Sequence, residues 1–273
     1  MKKIIALVLA VVMTAFCFAA CSGDAEAAGK KIAVQKGTTS LMYAQILKGA
    51  EAVSYDTFAL AANDMKNGNA DYVFVDKTTA NALCKEIAGI KVIDIALSSE
   101  NYGIGIDPNQ ADLKTKIDGI LTDKAAEIDA IKDKYMNGEE DKYVGVTSAT
   151  KDVSRAAEQL VVATNAEFTP WEYKEGTEYY GIDMEIAQLI ATELNLELVI
   201  DDMDFDMVVG AVGKQGVDIA MSGITITAER MNVINFSIPY YTEAIVVVCK
   251  AEDTSLDSVG TVVDLLGVIC TAN

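Results

Sequence analysis

The sequence predicts an α/β protein with two lobes. Short apolar runs typical of β-strands alternate with helical patterns in two separate series, one from residue 30 to about 136 and one that begins at Leu160. After the amino-terminal segment the chain has about 250 residues, which is enough for two compact lobes of ordinary size.

The first series contains both element types. Its predicted strands are 31–35, 71–75, 90–95 and 102–106, and its predicted helices are 41–48, 57–66 and 113–135. Residues 137–159 follow; they are polar, repeat no motif, and are predicted to form a linker.

The second series has the same character. Its predicted strands are 160–164, 196–200, 217–221 and 244–250, and its predicted helices are 183–194 and 205–214. The longer helix shows apolar residues at three- and four-residue intervals, which is the pattern of a helix with one face in the core. These residues are Ile182, Ile186, Leu189, Ile190 and Leu194.

The amino terminus has the order of a secretory signal. Lys2 and Lys3 precede an uncharged apolar run over 4–16, and small residues then lead to Cys21. The run is shorter than the roughly 20 residues that a membrane-spanning helix needs. The sequence FAAC at 18–21 resembles the bacterial lipobox, whose cysteine is acylated, although Phe18 stands where Leu is usual. We expect a signal over 1–20, a lipid on Cys21, a tether over 21–29 and an extracytoplasmic, membrane-anchored protein; the alternative is an ordinary cleaved signal.

Composition excludes several functional classes. The net charge of −19 argues against binding to nucleic acid, because such a surface repels phosphate backbones. The sequence has no histidine, which excludes His-dependent triads, His-ligated metals and His acid–base catalysis. Cys84, Cys249 and Cys270 are too scattered to predict a disulfide framework or a zinc site. We expect no cofactor and no metal.

The segment SGITITAER at 222–230 is a candidate binding loop. It follows a predicted strand and precedes a short predicted helix, and open α/β sheets bind ligands at the carboxyl ends of their strands. Gly223 permits close approach of a ligand to the backbone, and Thr225 offers a hydroxyl. Arg230 could bind a carboxylate through two parallel hydrogen bonds. The alternative is a capped turn with a surface arginine.

Residues 160–250 resemble the opening lobe, lobe 1, of the amino-acid-binding periplasmic-type solute-binding proteins that serve ABC importers. The matching stretches are LVVATNAEFTPWEY, YYGIDMEIAQLIATEL, MDFDMVVGAVGKQGVDIAMSGITITAER and INFSIPYY. The resemblance implies a type II periplasmic-binding-protein-like fold with a ligand cleft between two lobes. It also implies that Arg230 binds the carboxylate of an amino acid. The other contacts that it implies in lobe 1 are Asn165, Phe168, Phe205, Ser222, Gly223 and Thr225; for the two phenylalanines the alternative is core packing.

Residues 30–99 resemble most of lobe 2 of the same family. KKIAVQKGTTS matches the first strand and turn of that lobe, and NGNADYVFVDKTTA matches the segment that carries an acidic partner for the amino group of the ligand. The resemblance places that acid at Asp76 and further polar contacts at Gln35, Thr38 and Thr39. NYGIGIDP and IDAIKDKY match the hinge return and a closing helix of lobe 1, within 100–136.

The two lobes follow each other in reversed order, as in a circularly permuted chain. In the family, the lobe that matches 160–243 comes first; a hinge strand is then expected at 244–250 and the start of lobe 2 at 251–273. We expect Gly267 to lie within about 15 Å of Lys30, the reach of four or five residues. Residues 268–272 match the same strand as 31–35, so we expect 268–273 to be displaced, frayed or paired at the edge of a sheet. The rival interpretation is a truncated tandem of two incomplete proteins.

The resemblance implies a function. The expected protein captures an amino acid, with a polar or cationic one favoured by Asn165 and Glu167, and presents it to an ABC transporter permease without transforming it. An enzyme on the same fold is the first alternative, and it would need a general acid or base in the cleft. A sensory module that passes closure of the lobes to a signalling partner is the second.

Overall fold

A computed structural model of the protein describes residues 29–270. It contains two five-stranded sheets, a three-stranded sheet and a two-stranded sheet, with eight α-helices in the described part of the chain. Each five-stranded sheet forms the centre of one lobe. The predicted signal segment and Cys21 lie outside the described residues.

The elements alternate along the chain as the apolar patterns predict. The helices are α1 Thr39–Ile46, α2 Phe58–Lys66, α3 Lys77–Glu86, α4 Ala111–Asp123, α5 Ala125–Met136, α6 Ile182–Glu193, α7 Phe205–Ala211 and α8 Val262–Cys270. The strands are β1 Lys30–Gln35, β2 Ala50–Tyr55, β3 Tyr72–Asp76, β4 Ile90–Ile93, β5 Glu100–Tyr102, β6 Gly105–Ile106, β7 Gln159–Thr164, β8 Glu167–Phe168, β9 Glu172–Glu175, β10 Glu178–Tyr180, β11 Glu197–Asp202, β12 Ile219–Ala220, β13 Asn235–Phe236, β14 Tyr241–Glu243 and β15 Ile245–Lys250.

Lobe 2 is built on a sheet that takes one strand from the far end of the chain. The strand order is β2-β1-β3-β15-β4. Strands β1, β2 and β3 run parallel, whereas β15 runs antiparallel to both of its neighbours. All five residues of β3 are buried, as expected for a strand covered on both faces. The strand at 244–250, expected to be a hinge strand, therefore lies inside this sheet.

The sheet of lobe 1 likewise takes one strand from the other half of the chain. Its sheet has the order β11-β7-β12-β6-β13, so that β6 from the first half of the chain lies between two strands of the second half. Strand β6 pairs antiparallel with both β12 and β13. Helix α6 carries Asp183 and Glu185 in its first turn, where carboxylates interact favourably with the helix dipole.

A short antiparallel ladder joins the lobes. Strands β5 and β14 pair over three residues, with Tyr102 opposite Tyr241 and Glu100 opposite Glu243. The chain passes between the lobes on both strands of this ladder, because β4 and β15 lie in one sheet and β6 and β13 in the other. The ladder is therefore the hinge.

The carboxyl-terminal helix packs against lobe 2 beside the first strand. Leu265 and Ile269 of α8 are buried in the same apolar cluster as Ile32 and Val34 of β1. The last described carbonyl, that of Cys270, lies so close to Gly49 that a Cβ added there would be 2.7 Å away. Gly49 in turn contacts Gly29. The end of α8 and the start of β1 are neighbours.

Several local expectations differ from the structure. Residues 268–270 leave the strand position to 31–35, as expected, and continue α8 as helix, where Ile269 is buried in an apolar cluster. The predicted helix 113–135 is two helices that meet at Lys124. The polar segment 137–159 is ordered in part, since Val146 forms a β-bridge with Tyr179. Within residues 29–270, no helix has the length and apolar character that crossing a bilayer requires.

Candidate functional site

The predicted site residues converge on one cavity between the lobes. The space between the atoms there, including the part open to solvent, is about 280 Å³. Ten of the eleven predicted ligand contacts line it, and the exception is Asn165. Phe58, which sequence reasoning missed, lines it as well. The lining residues are Gln35, Thr38, Thr39, Phe58, Asp76, Phe168, Phe205, Ser222, Gly223, Thr225 and Arg230.

The loop after β12 forms the wall from lobe 1, and buried carboxylates hold it in place. The Ser222 hydroxyl donates to Glu172 Oε1 at 2.6 Å, and the Gly223 amide donates to Asp183 Oδ2 at 2.9 Å. Tyr240 donates to the same Asp183 carboxylate. Burial and the nearby Asp183 raise the pKa of Glu172, and burial raises the pKa of Asp183 to about 6.

Gly223 occupies a position that a residue with a side chain could not easily take. Its φ of +53° is in the left-handed region, and a Cβ there would lie 2.7 Å from a ring carbon of Phe168. The Phe168 ring itself packs against Phe58 of the opposite lobe, with centroids 5.7 Å apart. Phe168 therefore walls the cavity and contributes to packing between the lobes.

Arg230 lies across the cleft with its guanidinium between the lobes. One nitrogen donates to the Thr225 carbonyl at 2.8 Å, and another donates to the Gly37 carbonyl of lobe 2 at 3.0 Å. The guanidinium carbon is 5.7 Å from the ring centroid of Phe205, a cation–π distance. Burial lowers the pKa of Arg230 from its ordinary value. The chain thus brings a partly desolvated cation to a small cavity.

Lobe 2 supplies a polar wall at the start of α1. Thr38 caps this helix, because its hydroxyl oxygen accepts the Leu41 amide at 3.2 Å. The Gln35 amide donates to Asn165 Oδ1 at 2.9 Å across the cleft. Asn165 in turn donates to the Met203 carbonyl. Asn165 therefore links the lobes behind the cavity and does not line it.

Asp76 stands at the carboxyl end of β3, in the cavity wall opposite Arg230. The side chain is buried, and burial raises its pKa to about 8. The carboxylates of Glu100 and Glu243 contribute to this raised pKa, since like charges disfavour ionisation. Asp76 and Glu100 thus lie near Arg230.

Sequence reasoning missed the residues that the hinge contributes. Glu100 and Glu243 are buried at 6% and 5% exposure. A period-two reading of ENY at 100–102 would have placed Glu100 and Tyr102 on the same inward face of a strand. Trp171, the single tryptophan, donates from its indole to Thr78 Oγ1 of lobe 2 at 2.9 Å. Thr78 donates onward to Glu243 at 2.5 Å.

The described residues hold no cluster of three or more Cys, Asp or Glu side chains that could bind a metal. Cys84 and Cys249 are thiols, and burial raises the pKa of Cys249 to about 11. A buried thiol of this kind is a weak nucleophile.

Comparisons with known proteins agree with this geometry. Residues 160–259 match the family model of the bacterial extracellular solute-binding proteins, family 3. Arginine-binding extracellular protein ArtP of Bacillus subtilis (strain 168) is 37% identical over 100 residues, which are 37% of this chain and 39% of ArtP. Cyclohexadienyl dehydratase of Pseudomonas aeruginosa is 38% identical over 82 residues, 30% of this chain and 31% of the enzyme.

The chain therefore spans about two fifths of ArtP and less of the dehydratase. Among solved structures, the ligand-binding core of GluR0 in complex with L-glutamate aligns with 90% of this chain and 92% of that one, at 11% identity and a TM-score of 0.45. The predicted α/β fold with two lobes is confirmed. The family match covers residues 160–259 only, and for that segment it supports the predicted family.

Proposed function

We propose that this protein captures a free amino acid between its two lobes and delivers it to an ABC importer. The observation that carries the proposal is the cavity with Arg230 on one wall and Asp76 on the other. A free amino acid presents a carboxylate and an ammonium on one carbon. The two walls satisfy both charges only when the lobes are closed, so binding and closure are coupled.

The energetics suit a transport receptor. Hydrogen bonds to charged groups contribute about 1.5–3 kcal/mol each. Three or four such bonds, less the cost of ordering the ligand and the lobes, give about 8 kcal/mol, which corresponds to a micromolar Kd. An importer could then recognise the closed form.

A cationic amino acid suits the charges around the cavity. An amino acid pairs its carboxylate with Arg230 and its ammonium with Asp76, which leaves the nearby Glu100 carboxylate without a counter-charge, so a ligand with one additional positive charge balances the site better than a neutral one. A neighbouring cavity shares the Phe58 wall and carries Glu86 from lobe 2 and Glu167 from lobe 1. We propose that a long cationic side chain extends past Phe58 toward these carboxylates. The name of ArtP, an arginine-binding relative, supports L-arginine as the first candidate.

An enzyme on the same fold is the second candidate. The dehydratase relative favours it, and Asp76 has the raised pKa of a possible general acid. We favour binding without turnover, because the family model and ArtP are both solute-binding proteins. Conversion of L-arginine or another bound amino acid to a new product, followed by NMR, would reverse this choice.

The reversed order of the lobes supports a circularly permuted chain. Each five-stranded sheet is completed by a strand from the other half of the chain, and the end of α8 lies beside the start of β1. A cut between α8 and β1, with the old termini joined through 137–159, gives this arrangement. Permutation at exposed connections is generally tolerated.

Arg230→Ala should abolish most amino-acid binding, because the carboxylate of the ligand loses its charged partner. The fold should stay intact, because the substitution removes only two side-chain hydrogen bonds, to the carbonyls of Thr225 and Gly37. Calorimetry with L-arginine and circular dichroism measure the two effects. Arg155→Ala, in an exposed surface ion pair, is the matched control and should bind like the parent. Binding by Arg230→Ala within threefold of the parent would show that the site is assigned wrongly.

Amino-acid binding should release a proton. In the empty cleft Asp76 has a pKa of about 8, so it is protonated at pH 6–7, and an ammonium beside it lowers that pKa and expels the proton. Affinity should therefore rise with pH up to about 8. Calorimetry in two buffers with different ionisation enthalpies counts the protons. Asp76→Asn should remove both the release and the pH dependence; a pH-independent parent contradicts the role of Asp76.

We propose that Cys21 is the lipidated residue of the mature protein and anchors it to the membrane, on the strength of the FAAC sequence after an apolar signal. Mass spectrometry of the protein from its host should find an acylated glyceryl cysteine at the amino terminus. Cys21→Ala should lose the lipid and leave the membrane fraction. A free amino terminus at another residue would exclude the anchor.

A reordered chain tests the permutation. Residues 160–270 followed by 30–159, with a short glycine-serine link between Cys270 and Lys30, should fold to the same two lobes and bind the same amino acid within about tenfold. The link is feasible because Cys270 contacts Gly49, which contacts Gly29. Light scattering should show a monomer for both chain orders. A parent that binds only as a dimer would favour the truncated tandem instead.

A further inference from the structure

Glu100 is the buried carboxylate that contacts both walls of the cavity. It lies in β5, one of the two strands of the hinge ladder. Its side chain points inward, as does that of Tyr102 two residues later. Its Oε2 accepts a hydrogen bond from the hydroxyl of Thr39 at 2.8 Å and another from the hydroxyl of Thr225 at 2.7 Å. Thr39 belongs to lobe 2 and Thr225 to lobe 1, and both line the cavity.

The direction of these two hydrogen bonds decides what the threonines offer to a ligand. A hydroxyl has one hydrogen and two acceptor lone pairs. When that hydrogen is given to Glu100, only lone pairs remain for a group in the cavity. Bonds to a carboxylate oxygen are short and strong, so this orientation is favoured over rotation of the hydroxyl toward another partner.

We infer that Glu100 is a positioning residue that makes Thr39 and Thr225 acceptors and thereby selects ligands with an α-ammonium group. The inference rests on the proposed function and adds a determinant of specificity to it. An ammonium has only donors, which match the two hydroxyl oxygens and the Asp76 carboxylate. A carboxylate has only acceptors, so Glu100 turns it away from the threonine hydroxyls and toward Arg230.

The hinge gives this role a geometric basis. Glu100 is opposite Glu243 in the ladder between β5 and β14, and Thr225 itself forms a β-bridge with Tyr102. The Glu100 carboxylate is therefore fixed relative to the wall of lobe 1. The Thr39 hydroxyl donates to the same carboxylate from lobe 2. Glu100 therefore orients both hydroxyls when the two lobes are closed.

Discrimination between two ligands tests the inference. L-arginine and 5-guanidinopentanoate differ only in the α-ammonium group, and calorimetry gives the ratio of their Kd values. Glu100→Leu should reduce the preference for L-arginine at least tenfold, while the Kd of 5-guanidinopentanoate stays within threefold of the parent. Glu100→Gln keeps an accepting oxygen and should have an intermediate ratio. Thr242→Val, on the exposed side of the same ladder, should keep the ratio of the parent. Loss of both affinities by one common factor in Glu100→Leu would overturn the inference.

Thermal unfolding without any ligand separates this test from the proposed function. Glu100→Gln should be non-additive with Thr39→Val and with Thr225→Val by about 2 °C or more, because each pair loses the same hydrogen bond. Additive shifts would mean that Glu100 does not hold the hydroxyls. If the parent protein binds no amino acid, the proposed function fails, and the double-mutant cycles still decide whether Glu100 positions the two threonines.

Discussion

The pairing of β15 with β3 and β4 is the interaction on which the rest of the structure depends. It inserts a strand from the end of the chain between two strands from its beginning. Ile245 to Cys249 are fully buried in that position, and burial of each such apolar side chain stabilises by about 1.5–3 kcal/mol. Because β6 makes the converse exchange, neither sheet is complete without both halves of the chain. The cleft between them is a consequence of that shared construction.

Local patterns were sufficient to predict much of this fold. The alternation of apolar runs predicted β1, β3, β7 and β15, and the three- and four-residue spacing predicted α6, because these elements bury a regular face. Strand β2 was missed because none of its six residues is fully buried: Ala50, Ala52, Val53 and Tyr55 are only partly buried, and the apolar alternation is weak. The exchange of strands was not visible in any local pattern; it followed from the order of family-like segments.

The site was predicted unevenly, for reasons of chemistry. The loop at 222–225, with Arg230 after it, follows a predicted strand, a position that indicates a binding edge, whereas the role of Asp76 followed from the resemblance to the family. Glu100 acts from a strand of three residues in the hinge, which is too short for a periodic pattern. Glu172 and Asp183 lie beneath the loop and hold it by hydrogen bonds that connect distant parts of the chain. Hydrogen bonds of this kind join residues that are distant in sequence, so a single sequence does not reveal them.

The late strand also has a consequence for biosynthesis. The partners of β15 in β3 lie about 170 positions earlier, so this pairing forms only after the intervening residues have been made. Until then, a growing chain has its apolar strands β3 and β4 without the strand that lies between them. Chain order thereby delays the completion of the lobe 2 sheet until most of lobe 1 has been made. A protein with this order exposes an incomplete sheet to chaperones for longer than one whose lobes close one after the other.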